Sequence, residues 1–231
     1  MTLSGLQKLT LLDYPGKTAC IVFTRNCNFR CPFCHNATLA TGEAPLLEEG
    51  EVLAYLEKRK KILDGVVITG GEPLLQKDIA PFIRRVKALG YAVKLDTNGV
   101  FPSRLKALLD EGLVDYLAMD IKNSPALYEK TAGVKGEALL DKIKESIALI
   151  MASGIDYEFR TTVVKGLHTE ESLLEAAEMI RGAKQYYLQG FVDSGELIDV
   201  RGLSAFSKEE MLRFAENAKS FVQKVGVRGY D

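Results

Sequence analysis

The sequence predicts an α/β fold built on a parallel sheet. Short apolar runs rich in β-branched residues alternate with longer helical stretches along the 231 residues. Glycines such as Gly90 and Gly154 follow the helical stretches, at positions where helices commonly end. This alternation is typical of parallel strands joined by helical crossovers. About six strand–helix units are visible, which leaves a doubly wound open sheet and an incomplete barrel as alternatives.

The first strand is expected to lead directly into a loop that holds three of the four cysteines, the cluster loop at residues 25–36. No linker, low-complexity segment or repeat interrupts the chain, so we predict one domain over residues 1–231. The predicted strands cover residues 17–24, 65–70, 91–97, 114–122, 156–164 and 186–191. The predicted helices cover residues 48–62, 78–89, 102–111, 137–152, 170–181 and 207–224.

The composition excludes several classes of protein. Thirty basic and thirty-one acidic residues give a net charge of −1, which argues against a surface that coats nucleic acid. No apolar run is long enough for a membrane span, and the first residues lack the pattern of a secretory signal. Clustered thiols without an export signal favour a reducing cytoplasm. We therefore expect a cytoplasmic protein with neither a nucleic-acid nor a membrane partner.

Three cysteines lie in the run C-N-F-R-C-P-F-C-H-N, at Cys27, Cys31 and Cys34. Thiolates suit iron–sulfur clusters, zinc and copper(I), so residue type alone does not select the metal. The spacing favours a compact loop around one cubane cluster, in which one iron lacks a protein thiolate and can take another ligand. A structural zinc site with His35 is the alternative, but His35 directly follows Cys34, which makes a tetrahedron with both awkward.

Polar and glycine-rich segments recur where the predicted strands end, which is the expected active-site edge of such a sheet. Each also has a structural alternative: paired glycines form ordinary turns, and an acidic residue helps to start a helix. Asp and Lys two residues apart share one side of a strand and need partners when buried, which favours a site. The segments contain Gly70, Gly71 and Glu72, then Asp96 and Asn98, then Asp120 and Lys122. Arg160 lies within the predicted strand 156–164.

Together these motifs resemble the radical S-adenosylmethionine superfamily. The C-x3-C-x2-C spacing with Phe33 before the last cysteine matches its cluster motif, and G-G-E-P after the next strand matches its second motif. Within the superfamily the chain looks most like glycyl-radical-enzyme activating enzymes. Its opening segment, G-L-Q-K-L-T-L-L-D-Y-P-G-K, is most similar to anaerobic ribonucleoside-triphosphate reductase activating proteins. The resemblance implies a partial (β/α)6 TIM-like barrel.

The resemblance also implies roles for individual residues. The three cysteines would hold a [4Fe–4S] cluster whose open iron binds S-adenosylmethionine, with the backbone of Phe33 against the adenine. The carboxylate of the methionyl group would meet Lys122, and Lys122 and Arg160 would be the catalytic residues. Gly70, Gly71 and Glu72 would bind the methionyl ammonium. Asp96 and Asn98 would contact the ribose or an adjacent cation. Asp120 would be a further cofactor-binding residue, because with Lys122 it matches the D-x-K pattern of the activases. A monovalent cation beside Asp96 and Asp120 is left open.

The activity implied by the resemblance is reductive cleavage of S-adenosylmethionine, followed by removal of a glycine Cα hydrogen from a partner glycyl-radical enzyme. The electron would come from a flavodoxin- or ferredoxin-type reductant. The sequence Val164-Lys165-Gly166 stands where pyruvate formate-lyase activases carry V-P-G, which weakens that lyase as the partner. Alternatives are a radical enzyme acting on a small molecule such as a deazapurine precursor, and a non-enzymatic zinc or electron-carrying module.

Overall fold

The structure, a computed structural model, describes residues 1–230 and has the predicted α/β class. All six predicted strands and all six predicted helices are present, with shorter ends at several of them. The strands are Leu3–Thr10 (β1), Ala19–Thr24 (β2), Gly65–Gly70 (β3), Ala92–Thr97 (β4), Tyr116–Asp120 (β5), Asp156–Val163 (β6), Tyr186–Gly190 (β7) and Val225–Arg228 (β8). The α-helices are Ala37–Thr41 (α1), Glu49–Arg59 (α2), Ile79–Ala88 (α3), Pro102–Asp110 (α4), Tyr128–Ala132 (α5), Leu139–Ala152 (α6), Glu170–Met179 (α7) and Lys208–Ala218 (α8).

The eight strands form one sheet in chain order, from β1 to β8. A doubly wound sheet reverses its strand order at a switch point, so the sequential order excludes that alternative. It is the order of a partial TIM-like barrel, the fold class that the sequence predicted. The outermost strands, β1 and β8, were not predicted. The first pairs antiparallel with β2, whereas β8 continues the parallel pairing beside β7.

The chain forms two compact units, and the predicted single domain stays a prediction. The first unit holds Met1–Asn28, Thr38–Thr97 and Phe101–Ala118. The second holds Phe29–Ala37, Asn98–Val100 and the described residues from Met119 onward. No helix in residues 1–230 is long and apolar enough to cross a membrane.

In the first unit, an aromatic pair belongs to a buried apolar cluster. The rings of Tyr14 and Tyr116 lie 5.9 Å apart, and both side chains are buried with Ala19, Ile21 and Val67. The β2 and β3 strands run parallel in register, so their carboxyl ends lie at the same edge of the sheet. That edge carries the first part of the predicted site.

In the second unit, strands β6, β7 and β8 pair in parallel, and helices α7 and α8 begin with strong caps. Thr169 and Ser207 each form a reciprocal capping box with the third helical residue, Ser172 and Glu210 respectively. Such caps satisfy amide groups that the first helical turn leaves without intrahelical partners. They fix where each helix leaves the preceding loop.

Candidate functional site

The predicted site residues divide between the two units. The first unit holds Cys27, Gly70, Gly71, Glu72 and Asp96. The second holds Cys31, Phe33, Cys34, Asn98, Asp120, Lys122 and Arg160.

The two glycines after β3 pack directly against the chain that leaves β2. A Cβ atom on Gly71 would overlap the carbonyl oxygen of Asn26, and one on Gly70 would lie 2.5 Å from backbone atoms of Thr24. The Gly71 amide donates to the Thr24 carbonyl, and the Glu72 amide donates to the Asn26 carbonyl, each at 2.9 Å. The glycine pair therefore braces the start of the cluster loop through its backbone.

Glu72 is buried, with 1% of its surface exposed, and its carboxylate is held by two donors. One oxygen accepts hydrogen bonds from the Leu74 amide at 3.0 Å and from the Thr97 hydroxyl at 2.7 Å. Glu72 thus caps the short 3-10 helix Pro73–Leu75, which confirms the structural alternative for this residue. Its contact with a methionyl ammonium stays a prediction.

Asp96 pairs with a lysine that the sequence analysis did not single out. The Lys94 ammonium binds one carboxylate oxygen of Asp96, and the lysine is buried with 1% of its side chain exposed. Its Nζ atom also lies 5.9 Å from the centre of the Tyr116 ring, a cation–π distance. The signal was available: a lysine inside the apolar strand A-V-K-L-D-T, two residues before Asp96.

Asn98 and Gly99 form a turn in the second unit. Gly99 has a φ of 80°, and the Asn98 side chain accepts a 3.1 Å hydrogen bond from the Val100 amide. The Gly99 carbonyl accepts a 2.6 Å bond from the Ser146 hydroxyl. Asn98 is buried and serves this turn. Its role toward a ribose stays a prediction.

Asp120, Lys122 and Arg160 form a cluster of ion pairs. The Lys122 ammonium lies 3.0 Å from one carboxylate oxygen of Asp120. Two guanidinium nitrogens of Arg160, Nε and one terminal nitrogen, each lie 3.0 Å from the other oxygen of Asp120. One expectation needs correction: β5 ends at Asp120, so Lys122 lies beyond the strand rather than in it. The Asp120 and Lys122 side chains nevertheless form an ion pair.

The ion pairs set the charge states of this triad. Burial raises the pKa of the Asp120 carboxyl, but the charges of Lys122 and Arg160 outweigh that effect and hold the pKa well below its usual range. Burial lowers the pKa of the Lys122 ammonium, but the charge of Asp120 outweighs that effect and raises the Lys122 pKa above its ordinary value. The triad therefore presents a carboxylate, an ammonium and a guanidinium at neutral pH.

The cluster loop is held by backbone hydrogen bonds in both units. In the first, the Cys27 amide donates to the Ala40 carbonyl at 3.2 Å. In the second, the Cys34 amide donates to the Cys31 carbonyl at 3.1 Å, and the Cys31 sulfur lies 3.7 Å from the Ala132 carbonyl oxygen. Phe33 is buried in the loop, and its contact with an adenine stays a prediction.

Within residues 1–230, no group of three or more His, Cys, Asp or Glu side chains is arranged to hold a metal ion. The chemistry of the donors still fits an iron–sulfur cluster, because three thiols come from one short loop. Burial raises the pKa of the Cys31 thiol to about 11, and the charge of Lys122 acts in the opposite direction, toward the thiolate that a metal needs. His35 is exposed, and its ring lies 6.1 Å from the ring of Phe191.

With this geometry in place, comparison with known proteins identifies the class. The profile of the radical SAM superfamily matches residues 21–180, a range that contains every predicted site residue. The chain belongs to this superfamily, whose members are enzymes that use a [4Fe–4S] cluster and S-adenosylmethionine.

Individual relatives differ in how much of their length the chain matches. A Methanocaldococcus jannaschii protein that carries the provisional name glycyl-radical enzyme activating enzyme is 31% identical over 97% of this chain and 95% of its own. A probable GTP 3′,8-cyclase of Thermococcus kodakarensis is 34% identical over 65% of this chain and 49% of its own. Among solved structures, Streptococcus suis SuiB bound to its precursor peptide SuiA has a TM-score of 0.71 at 15% identity, over 90% of this chain and 48% of SuiB. The last similarity shows the fold alone, and the chain spans about half the length of the cyclase and of SuiB.

Proposed function

We propose that this enzyme installs a glycyl radical in a partner protein. Its resemblance to anaerobic ribonucleoside-triphosphate reductase activating proteins points to that reductase as the partner. The observation that carries the proposal is the M. jannaschii relative, which matches 97% of this chain and 95% of its own length. That protein's name, provisional as it is, describes activation of a glycyl-radical enzyme. The resemblance of the D-x-K segment and Arg160 to the activases supports the same assignment.

In this proposal, the cluster loop holds the [4Fe–4S] cluster through Cys27, Cys31 and Cys34. When bound there, the cluster would supply the electron for cleavage of S-adenosylmethionine to methionine and a 5′-deoxyadenosyl radical, which would take the glycine hydrogen. The side chains of the protein orient the cofactor and exclude other hydrogen donors. A flavodoxin- or ferredoxin-type protein is proposed as the reductant.

Different polar residues of the site are proposed to orient different groups of S-adenosylmethionine. Lys122 is charged and held by one oxygen of Asp120, so it suits the methionyl carboxylate, and Arg160 binds the other oxygen of the same aspartate. Glu72 is fixed by two donors and suits the methionyl ammonium. No monovalent cation is proposed beside Asp120, because that carboxylate already faces two cationic side chains.

The test is to reconstitute the enzyme without oxygen, reduce it, and mix it with anaerobic ribonucleoside-triphosphate reductase and S-adenosylmethionine. We expect a glycyl-radical doublet in electron paramagnetic resonance, together with equal amounts of methionine and 5′-deoxyadenosine. The Cys27→Ala enzyme and a reductase whose radical glycine is replaced by alanine are the controls. Cofactor cleavage without any glycyl signal would contradict the proposal.

A second candidate is a radical enzyme acting on a small molecule such as a deazapurine precursor. The 34% identity with a GTP 3′,8-cyclase over 159 residues favours small-molecule chemistry of this kind. It predicts that 5′-deoxyadenosine formation is stimulated by a purine-type metabolite and is unchanged by the reductase. The same assay therefore separates the two candidates.

A further inference from the structure

Two buried side chains support the segment that follows β5. The strand ends at Asp120, and the Ile121 amide still donates to the Arg160 carbonyl at 2.8 Å. The Thr161 hydroxyl donates to the Ile121 carbonyl at 2.7 Å, and the His168 ring meets the Lys122 carbonyl at 2.8 Å. Side chains thus bind the carbonyl groups of both residues after the strand, including the residue that carries the ammonium group.

The protonation state of His168 follows from its hydrogen-bond partners. Nε2 lies 2.8 Å from the Lys122 carbonyl, which can only accept. Nδ1 lies 3.1 Å from the Val164 amide, which can only donate, and 3.3 Å from the Val164 carbonyl, which can only accept. A neutral ring with its proton on Nε2 satisfies the Lys122 carbonyl and the shorter of the two Nδ1 contacts, while the Val164 carbonyl keeps its bonds from the Leu167 and His168 amides. The ring is 4% exposed, so neither nitrogen has water as a ready substitute.

A neighbouring amide strengthens the link between the same two segments. The Asn123 side chain donates 2.9 Å hydrogen bonds to the Leu167 carbonyl and to the Thr131 hydroxyl. The amides of Leu167 and His168 both donate to the Val164 carbonyl, which makes the loop after β6 a tight turn. This turn therefore contacts the segment after β5 at two consecutive residues.

We propose that His168 is a positioning residue for Lys122: its Nε2–H group holds the Lys122 backbone so that the ammonium stays against Asp120 and faces S-adenosylmethionine. The inference rests on the role of Lys122 in the proposed function and adds a residue that no motif indicated. Loss of the His168 donor would leave the Lys122 carbonyl buried without that partner and would free the backbone to shift. Residues that do not touch a bound group themselves commonly orient the side chains that do.

Two substitutions separate the two nitrogens of the ring. His168→Gln places an amide at the distance of Nε2 and can still donate to the Lys122 carbonyl. His168→Asn places an oxygen at the distance of Nδ1, so it keeps the partner of the Val164 amide and loses the bond to Lys122. Each variant removes one hydrogen bond, so a purely structural role predicts similar losses in both.

The measurement is equilibrium dialysis of S-adenosylmethionine with the cluster-loaded, oxidised protein under anaerobic conditions. We expect the Kd to rise about tenfold in His168→Asn and less than about twofold in His168→Gln. In a Lys122→Met background, the tenfold effect of His168→Asn should disappear, because the group being positioned is gone. Equal Kd values for the Asn and Gln variants, or an undiminished effect in the Lys122→Met background, would overturn the proposal.

A second readout does not depend on cofactor binding. In the ¹⁵N spectrum of the reconstituted protein, His168 should show a protonated Nε2 and an unprotonated Nδ1 at pH 7, and the opposite tautomer would overturn the proposal. If Lys122→Met alone leaves the Kd unchanged, Lys122 does not bind the cofactor and the inference fails with it. Glycyl-radical formation enters neither measurement, so loss of the activase function alone would leave both results intact.

Discussion

The Thr97 hydroxyl donates a 2.7 Å hydrogen bond to the carboxylate of Glu72, 25 residues earlier in the chain. The bond joins the end of β4 to the residue that follows the glycine pair after β3, and both side chains are buried. Because Glu72 also receives the Leu74 amide, its carboxylate has one fixed orientation. A fixed carboxylate can receive a cofactor ammonium without paying rotamer entropy at the moment of binding.

Removing the hydroxyl should therefore destabilise this edge of the sheet. Thr97→Val keeps the shape of the side chain but loses the donor, and we expect the free energy of unfolding to fall by about 2 kcal/mol, as for hydrogen bonds to charged groups. Thr97→Ser keeps the hydroxyl and is the control. Urea unfolding under anaerobic conditions measures both, and equal midpoints for the two variants would contradict the prediction.

Gly71 should be the least replaceable glycine of the first unit. A methyl group in Gly71→Ala would overlap the Asn26 carbonyl, so the chain must shift where the cluster loop begins. We expect iron and acid-labile sulfide after anaerobic reconstitution to fall at least about threefold, since forced overpacking costs roughly 1–3 kcal/mol. Gly50→Ala, where a methyl group would meet nothing within 4 Å, is the control and should load normally.

The sequence predicted the fold better at the inner strands than at the edges. The inner strands are apolar runs of regular pattern, whereas β1 contains register shifts near Leu3–Gly5 and Gln7–Thr10 that break the alternation. The last strand has only four residues, V-G-V-R, and the helix predicted over 207–224 extended to its start; the helix ends at Ala218. Local pattern does not encode such edges, because their pairing depends on distant strands.

The site shows the same division between local and distant information. Motifs located the glycine pair, the acidic residues and Lys122, because each stands at or just beyond a strand end, and the family resemblance located Arg160 within β6. They did not reveal why Gly71 is needed, which depends on how closely another loop approaches it. Nor did they indicate Lys94, although it stands two residues before its partner Asp96 in an apolar strand. They did not indicate His168 either, whose partner, the Lys122 carbonyl, becomes visible only in the folded chain.

Lys94 gives a prediction of its own. Lys94→Met removes the cationic partner of Asp96 inside the first unit, and breaking a buried ion pair from one side typically costs about 3 kcal/mol or more. Lys106→Met, in an exposed pair with Asp110 whose side chains are 57% and 61% exposed, should cost less than about 1 kcal/mol. Urea unfolding of both variants checks the contrast.

A double variant tests whether the cost comes from the carboxylate. If the charge of Asp96 causes the loss of stability in Lys94→Met, the double variant Lys94→Met/Asp96→Asn should recover part of it. The asparagine carries no charge that needs the Lys94 ammonium. A double variant less stable than Lys94→Met alone would show instead that the lysine stem and its packing on Tyr116 carry the effect.

The final prediction concerns pH and His168. Burial lowers the pKa of the His168 imidazole below its ordinary value of 6.5, and the Lys122 charge acts in the same direction; hydrogen bonds with the Lys122 and Val164 carbonyls oppose the shift only in part. The unfolded chain therefore takes up the proton first as the pH falls. The stability that comes from a neutral His168 should be fully present above about pH 6.5 and should decline as the pH falls toward the lower pKa of the folded state.

Urea midpoints at several pH values between about 7.5 and 5 would measure this decline under anaerobic conditions. The wild type should lose more stability across that range than His168→Gln, which has no titrating group at this position. His35 is present in both proteins, so its own titration cancels in the comparison. A constant difference between the two proteins at every pH would mean that the folded and unfolded states bind the His168 proton equally well. The buried, neutral ring that the hydrogen bonds require would then be wrong.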